Sequence, residues 1–334
     1  MKLIFDLRNT GLGNNGGSST LVKSGNTLVD MGHEVTIVDS GRNQHTWTKL
    51  KAKHKIVRNK NQLPHADFII ATGFRSVVST LQAPYTAGVK AHWIRGLETW
   101  VYNEKQIYDK ILNTPTLKMV NGICLQNKLQ KYKIESFLAR PGYDFDIFSA
   151  KHLRENNNKV ILGGLNKQGQ HCNTKRTTWL METAKILKKK FKGKIELWLF
   201  GMDRLPSTTV VDKYIRNPSL KEKNIFYNQV DIWLAPSMLE GLHMPPAEAM
   251  ITECPVVGTN AEMSGTKDYL VNGETGIVTR NDAVSFIDGV KTLVENKDLR
   301  RYYGKNARNK ILQIGNRKTN MQRMVDFLTN VKGG

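Results

Sequence analysis

Two glutamates eight residues apart, Glu240 and Glu248, lie within PSMLEGLHMPPAEAM at residues 236–250. A strand-like run at 231–235 precedes them, and a short helix is expected to follow. Gly241, Pro245 and Pro246 pin the intervening loop, so its backbone amides can face a ligand, and a carboxylate at each end can accept hydrogen bonds from sugar hydroxyls. Those residue types suit a polyol. They also have a plainer use: Glu248 as a helix-start acid favoured by the helix dipole, and Glu240 as a solvent-facing loop acid.

A second candidate is the loop Gly11-Leu12-Gly13-Asn14-Asn15-Gly16-Gly17, between a strand-like and a helix-compatible segment. Small residues there let the backbone approach an anion at a helix N-terminus. Gly11, Gly13 and Gly16 satisfy G-x-G-x-x-G, and Asp39 ends the next strand where a ribose-binding acid is expected. An NAD(P)-dependent oxidoreductase is therefore an alternative reading, although such loops also serve as tight turns and no hydride-transfer constellation follows.

The elements that must position these residues alternate. Residues 2–7 and 34–39 read as strands around a helix at 18–31, and 66–72, 88–94 and 136–140 read as further strands. After a polar linker at 151–158 the rhythm restarts, with strands at 160–162, 195–200, 231–235 and 255–258 and a helix at 177–190. The fold class expected is α/β, with two doubly wound Rossmann-like domains facing across a cleft. The first spans 1–150, the second 151–315, and a helix at 316–334 returns to the first.

At 334 residues the chain is long enough for two cores. No apolar stretch approaches a membrane span, and no secretory signal opens the sequence, so a cytoplasmic location is expected, that of a host if phage-encoded. Cys124, Cys172 and Cys254 lack metal-ligand spacing and read as reduced and structural. The outlier is charge: 50 Lys and Arg against 29 Asp and Glu give +21. The first 150 residues carry 20 basic and 11 acidic side chains, so neither half holds the excess alone. A polyanionic partner or a merely lysine-rich solvated surface both account for it.

The segment at 236–250 resembles the E-x7-E signature of retaining glycosyltransferases of the GT-B fold, glycosyltransferase family 4 in particular. Leu242-His243-Met244 stands where Phe-Gly-Leu is usual. Residues 254–259 (CPVVGT), 268–278 (DYLVNGETGIV), 141–148 (PGYDFDIF) and 32–35 (GHEV) are similar to further motifs of that family. The resemblance implies that Glu240 contacts the donor sugar and Glu248 the nucleotide ribose. Lys175 matches the lysine that grips the donor diphosphate, with Arg176 in place of a glycine. The arginine usual in the preceding G-R-L is Gly164 here, so Arg176 or Lys167 must supply that charge, and Arg176 is preferred. Glu240, Lys175 and Arg176 are thus the catalytic candidates. Gly16, Gly17, Lys175, Arg176, Glu240, Gly241, Leu242, His243 and Glu248 form the donor-binding set. The donor implied is a nucleotide sugar, UDP-linked, with retention and with no metal or other cofactor.

In this fold the acceptor belongs to the first domain, where HWIRGLETW at 92–100 offers His92, Arg95 and Glu98. The segment can hold a base or sugar by stacking and hydrogen bonding; alternatively its tryptophans are core and Arg95 pairs Glu98. With +21 and no membrane anchor, double-stranded DNA carrying a hydroxymethylated pyrimidine is the acceptor expected, as in DNA-modifying phage members of the fold. A membrane surface bearing an envelope saccharide or lipid is the alternative.

Overall fold

Each short apolar run becomes a parallel strand buried under helices, which is why these strands read as near-continuous Val, Ile, Leu and Phe. The computed structural model describes all residues except 14, 42–46, 100–101, 152, 154–158, 170–171, 206–209 and 334. Asn14, Trp100 and most of the expected linker at 151–158 lie outside the described residues, as does the Cys172 side chain. Cys124 and Cys254 are buried.

The chain divides into two compact units, residues 1–142 with 316–334, and residues 143–315. In the first, β1 (Lys2–Asp6), β2 (Glu34–Asp39), β3 (Lys53–Ile56), β4 (Phe68–Ala71), β5 (Val89–Ile94), β6 (Leu117–Val120) and β7 (Phe137–Leu138) form one sheet. Its order is β3-β2-β1-β4-β5-β6-β7, with every neighbouring pair parallel. The strand order reverses between β1 and β4, so their carboxyl ends open a crevice of the kind in which open α/β sheets bind ligands. The helix Gly16–Asp30 starts there, capped by the Asn15 side chain, which accepts from the Ser18 amide at 2.9 Å.

The first unit's core joins Leu3, Phe5, Leu21 and Ile70 to Met321, Met324 and Leu328 of the last helix, Arg317–Gly333. Phe137 stacks on Phe327 with ring centroids 4.2 Å apart. Arg317 donates to Ser24 Oγ and to the Pro141 carbonyl, each at 3.3 Å. Gly142, with φ +71°, sits where the chain crosses the start of that helix, and a Cβ there would lie 2.4 Å from the Asn316 carbonyl oxygen.

In the second unit, β8 (Val160–Leu165), β9 (Ile195–Gly201), β10 (Lys213–Arg216), β11 (Ile232–Ala235), β12 (Val256–Thr259) and β13 (Gly276–Thr279) are ordered β10-β9-β8-β11-β12-β13, again all parallel. The reversal lies between β8 and β11. One face packs on Leu180, Leu187, Phe286 and Val290, the other on Tyr227, Met250, Tyr269 and Ile311. The break between units falls after Gly142 rather than at 150, because Tyr143 and Phe148 bury their rings in the second unit's core. Among the described residues no helix is long and apolar enough to cross a membrane.

Candidate functional site

In the second unit the loops after β8, β11 and β12 bring the sequence candidates together. The short helix Cys172–Lys175 meets the loop after β11 through the Met238 amide, which donates to the Thr174 carbonyl at 2.9 Å. That contact delivers the Lys175 ammonium to Glu240 Oε1, with which it forms a short ion pair. The Glu240 amide donates to the Met263 carbonyl at 2.7 Å and the His243 amide to the Gly265 carbonyl at 2.9 Å, so the loop after β12 braces the loop after β11. Gly265 has φ +70°, and a Cβ there would lie 2.4 Å from Glu240 Cβ.

His243 is 5% exposed, with Nε2 3.5 Å from Glu240 Oε1 and Nδ1 buried without a hydrogen-bond partner. Burial pushes its imidazole down to about 4, against the pull of Glu240, so it is neutral. Burial works to raise the Glu240 carboxyl, but the Lys175 ammonium and a hydrogen bond from Ser237 outweigh it and hold it below the ordinary range. Glu240 is therefore an ionised acceptor, largely but not fully shielded from solvent. It is not a solvent-facing acid.

Glu248 lies on the helix Met244–Ile251, whose first turns carry Pro245 and Pro246 where an unpaired amide costs nothing. The Tyr227 hydroxyl donates to Glu248 Oε2 at 2.8 Å. Gly241 and Leu242 are buried, Leu242 in the core beneath the loop. Arg176 stands beside the cluster with left-handed backbone, φ 54° and ψ 43°. Its guanidinium lies 4.0 Å over the Trp179 ring and donates to Asn281 Oδ1 at 2.5 Å. Lys167 is engaged elsewhere, with Asp203 at 2.9 Å. Position 164 offers no cation in any case: a Cβ on Gly164 would run into Leu180 at 2.7 Å, so that strand position faces core.

In the first unit a pocket of about 310 Å³ opens at the carboxyl ends of β1, β4 and β5. Gly11, Gly17, Thr72, His92, Arg95 and Glu98 are among its lining residues, so the glycine loop and the HWIRGLETW segment share one site. Arg95 donates to the Gly17 carbonyl and, at 2.6 Å, to the Thr72 carbonyl, leaving Nε buried without a partner. Glu98 accepts from the Phe74 amide at 3.1 Å instead of pairing with Arg95, and burial raises its carboxyl. His92 is fully buried, both ring nitrogens unpartnered, and is pushed down to about 3 by burial and then by Lys118 and Arg95. Trp93 is core: its Nε1 donates to the Ala139 carbonyl at 2.9 Å and its ring is not open to a ligand.

Asp39 is likewise closed to a ribose. It is fully buried, with Oδ1 accepting from the Gly41 amide at 2.5 Å and Oδ2 held by His54 at 2.8 Å. The dinucleotide pattern thus loses its acidic partner, because β3 supplies a histidine that sequence distance did not reveal. Among the described residues no group of three or more His, Cys, Asp or Glu is placed to hold a metal ion.

The sequence pattern of glycosyl transferases group 1 matches residues 160–296, the stretch from β8 through the helix after β13. The match spans under half of the chain, and over it the sequence is similar to glycosyl transferases of group 1. The capsular polysaccharide biosynthesis glycosyltransferase CapM of Staphylococcus aureus is 34% identical over 87 residues, which are 26% of this chain and 22% of CapM. The chain thus spans under a quarter of that curated relative's length. Among solved structures, sucrose-phosphate synthase from Thermosynechococcus elongatus superposes with a TM-score of 0.78 at 13% identity, covering 99% of both chains. HepE of Anabaena in complex with UDP and glucose gives 0.77 at 13% identity, covering 99% of this chain and 100% of that one. At such identity the likeness is one of fold, and the fold is GT-B, two Rossmann-like units in one chain.

The sequence missed Tyr227, Ser237, Gly265, Tyr269 and Asn281. Of these, Ser237 and Tyr269 lay in segments that carried a family pattern.

Proposed function

We propose that the chain transfers a sugar from a UDP-sugar to an acceptor hydroxyl with retention, as a family 4 enzyme. The observation that carries this reading is the Lys175–Glu240 pair at the carboxyl ends of β8 and β11, inside the stretch similar to glycosyl transferases of group 1. Glu240 takes sugar hydroxyls, Glu248 takes the ribose, and Lys175 with Arg176 meets the diphosphate. As the bond from the sugar carbon to the diphosphate oxygen breaks, negative charge grows on that oxygen, and fixed cations lower the barrier by facing it. The acceptor oxygen bonds to the same carbon on the same face, and its proton passes to the departing diphosphate. Gly16 and Gly17, at an exposed helix N-terminus of the first unit, suit an anion such as the donor diphosphate. UDP as the nucleotide rests on the HepE complex.

The acceptor hydroxyl is that of a hydroxymethylated pyrimidine in duplex DNA, placed near His92, Arg95 and Glu98. The net charge of +21 supports this, since each phosphate contact releases counterions, and such a base has to be flipped to reach the pocket. A second reading is an envelope saccharide, supported by the role printed for CapM and by basic surfaces serving anionic membranes equally well. A transfer screen separates them: purified protein, a panel of nucleotide sugars, and either duplex DNA with 5-hydroxymethylpyrimidines or lipid-linked saccharides, read by mass spectrometry. A sugar mass on the modified base alone is the outcome expected from the first reading. Donor turnover with product only on saccharide would overturn the DNA acceptor and keep the transferase.

A further inference from the structure

Tyr227 lies on the helix Leu220–Gln229 with its ring fully buried among Phe148, Phe200, Phe226 and Trp233. A phenol so placed needs a partner for its hydroxyl, and a well-packed ring holds that hydroxyl in one direction. The partner is the Glu248 carboxylate, whose Oε1 accepts from no described residue while Oε2 is occupied at 2.8 Å. Thr252 Oγ1 lies beside this bond within donating distance of the Tyr227 carbonyl at 3.1 Å and the Ala249 carbonyl at 2.8 Å, its one proton shared between the two helices. A second buried tyrosine, Tyr269, donates to the His243 carbonyl at 2.5 Å at the other end of the same segment. Between these two hydroxyls the stretch from His243 to Glu248 is held at both ends.

We propose that Tyr227 is a positioning residue: it fixes the plane of the Glu248 carboxylate so that the free oxygen is presented to the vicinal diol of the donor's ribose. This rests on the reading of Glu248 as the ribose ligand. A glutamate carboxylate otherwise turns broadly about its last torsion, and a fixed one gives up less freedom on binding. Burial, and then the Glu248 charge, raises the Tyr227 hydroxyl well above its ordinary value, so it stays a donor at any pH at which the protein works.

The test measures calorimetric affinity for UDP and for 2′,3′-dideoxy-UDP, with steady-state kinetics on the UDP-sugar. Tyr227→Phe is expected to weaken UDP about tenfold and dideoxy-UDP less than twofold, raising KM while kcat stays within about twofold. Equal weakening of both nucleotides would mean a merely structural role and overturn the inference, as would unchanged UDP affinity. Glu248→Gln separates the two claims: if it keeps the ribose preference, the ribose reading of Glu248 falls and takes the inference with it. If Glu248→Gln abolishes the preference and Tyr227→Phe does not, the inference alone falls. The double variant leaves no buried carboxylate unpaired, so it covers poor folding of the single one. It is expected to lose no more ribose preference than Glu248→Gln alone, and an additive loss would contradict the coupling.

Discussion

Arg176 shows how one residue can carry a backbone cost for a chemical gain. Its left-handed φ of 54° is a conformation that glycine takes freely and that costs another residue about 1–2 kcal/mol. The family to which this segment was likened has glycine there, while here the position carries a guanidinium stacked on Trp179 and bonded to Asn281. Arg176→Gly is therefore expected to leave the thermal midpoint within about 3 °C, strain relief offsetting lost stacking, while UDP binds roughly tenfold more weakly. Calorimetry and a melt check both; unchanged UDP affinity would remove Arg176 from the diphosphate site.

His243 gives a pH signature. Its folded pKa, pushed down to about 4 by burial, lies below the ordinary 6.5, so between those values the unfolded chain takes up a proton that the folded one refuses. Stability contributed by the neutral ring is full above about 6.5 and is lost as pH falls toward 4, on the order of 3 kcal/mol across the window. Denaturant melts from pH 7 to 4 should show a shallower slope in His243→Asn; an unchanged slope would contradict the buried neutral imidazole. Glu240 and Glu248 were singled out in the sequence by their spacing and neighbours, and Lys175 by the family resemblance alone. Tyr227 and Asn281 were not, because only the tertiary fold carries their side chains to Glu248 and Arg176.

Loops at strand ends do the positioning, and strands matter by where they stop. The loop after β12 works through Gly265, which lets Glu240 and His243 close on it. Gly265→Ala combines a left-handed backbone with a contact of 2.4 Å against Glu240 Cβ, so it should cost about 1–3 kcal/mol and displace Glu240. A drop in donor turnover larger than the stability loss explains is the outcome expected, and full activity with an unchanged melt would refute the bracing. Most buried strands were read from their apolar runs, but the interior strand β6 and the edge strand β13 were not. The edge strands β3 and β10 were also missed, since Lys53-His54-Lys55-Ile56 and Lys213-Tyr214-Ile215-Arg216 carry the charges that edges use against mispairing. Missing β3 also hid His54, and with it the reason Asp39 is closed.

Over the whole chain, each unit places its candidate residues at the reversal of strand order in its own sheet, which is the feature the alternating pattern made legible. The last helix is part of the first unit's core through Met321, Met324 and Leu328. The early boundary at Gly142 was illegible because Tyr143 and Phe148 look no different, in sequence, from residues that finish the preceding strand. The central claim is that the Lys175–Glu240 cluster turns over a nucleotide sugar. The measurement that tests it most directly is release of nucleoside diphosphate from a panel of UDP-sugars by the natural chain, Glu240→Gln and Lys175→Ala, with melts of all three. Turnover of a UDP-sugar by the natural chain, lowered about a hundredfold or more in both folded variants, is the result predicted. Absence of turnover and of UDP binding in the natural chain, or equal turnover in all three, would contradict it.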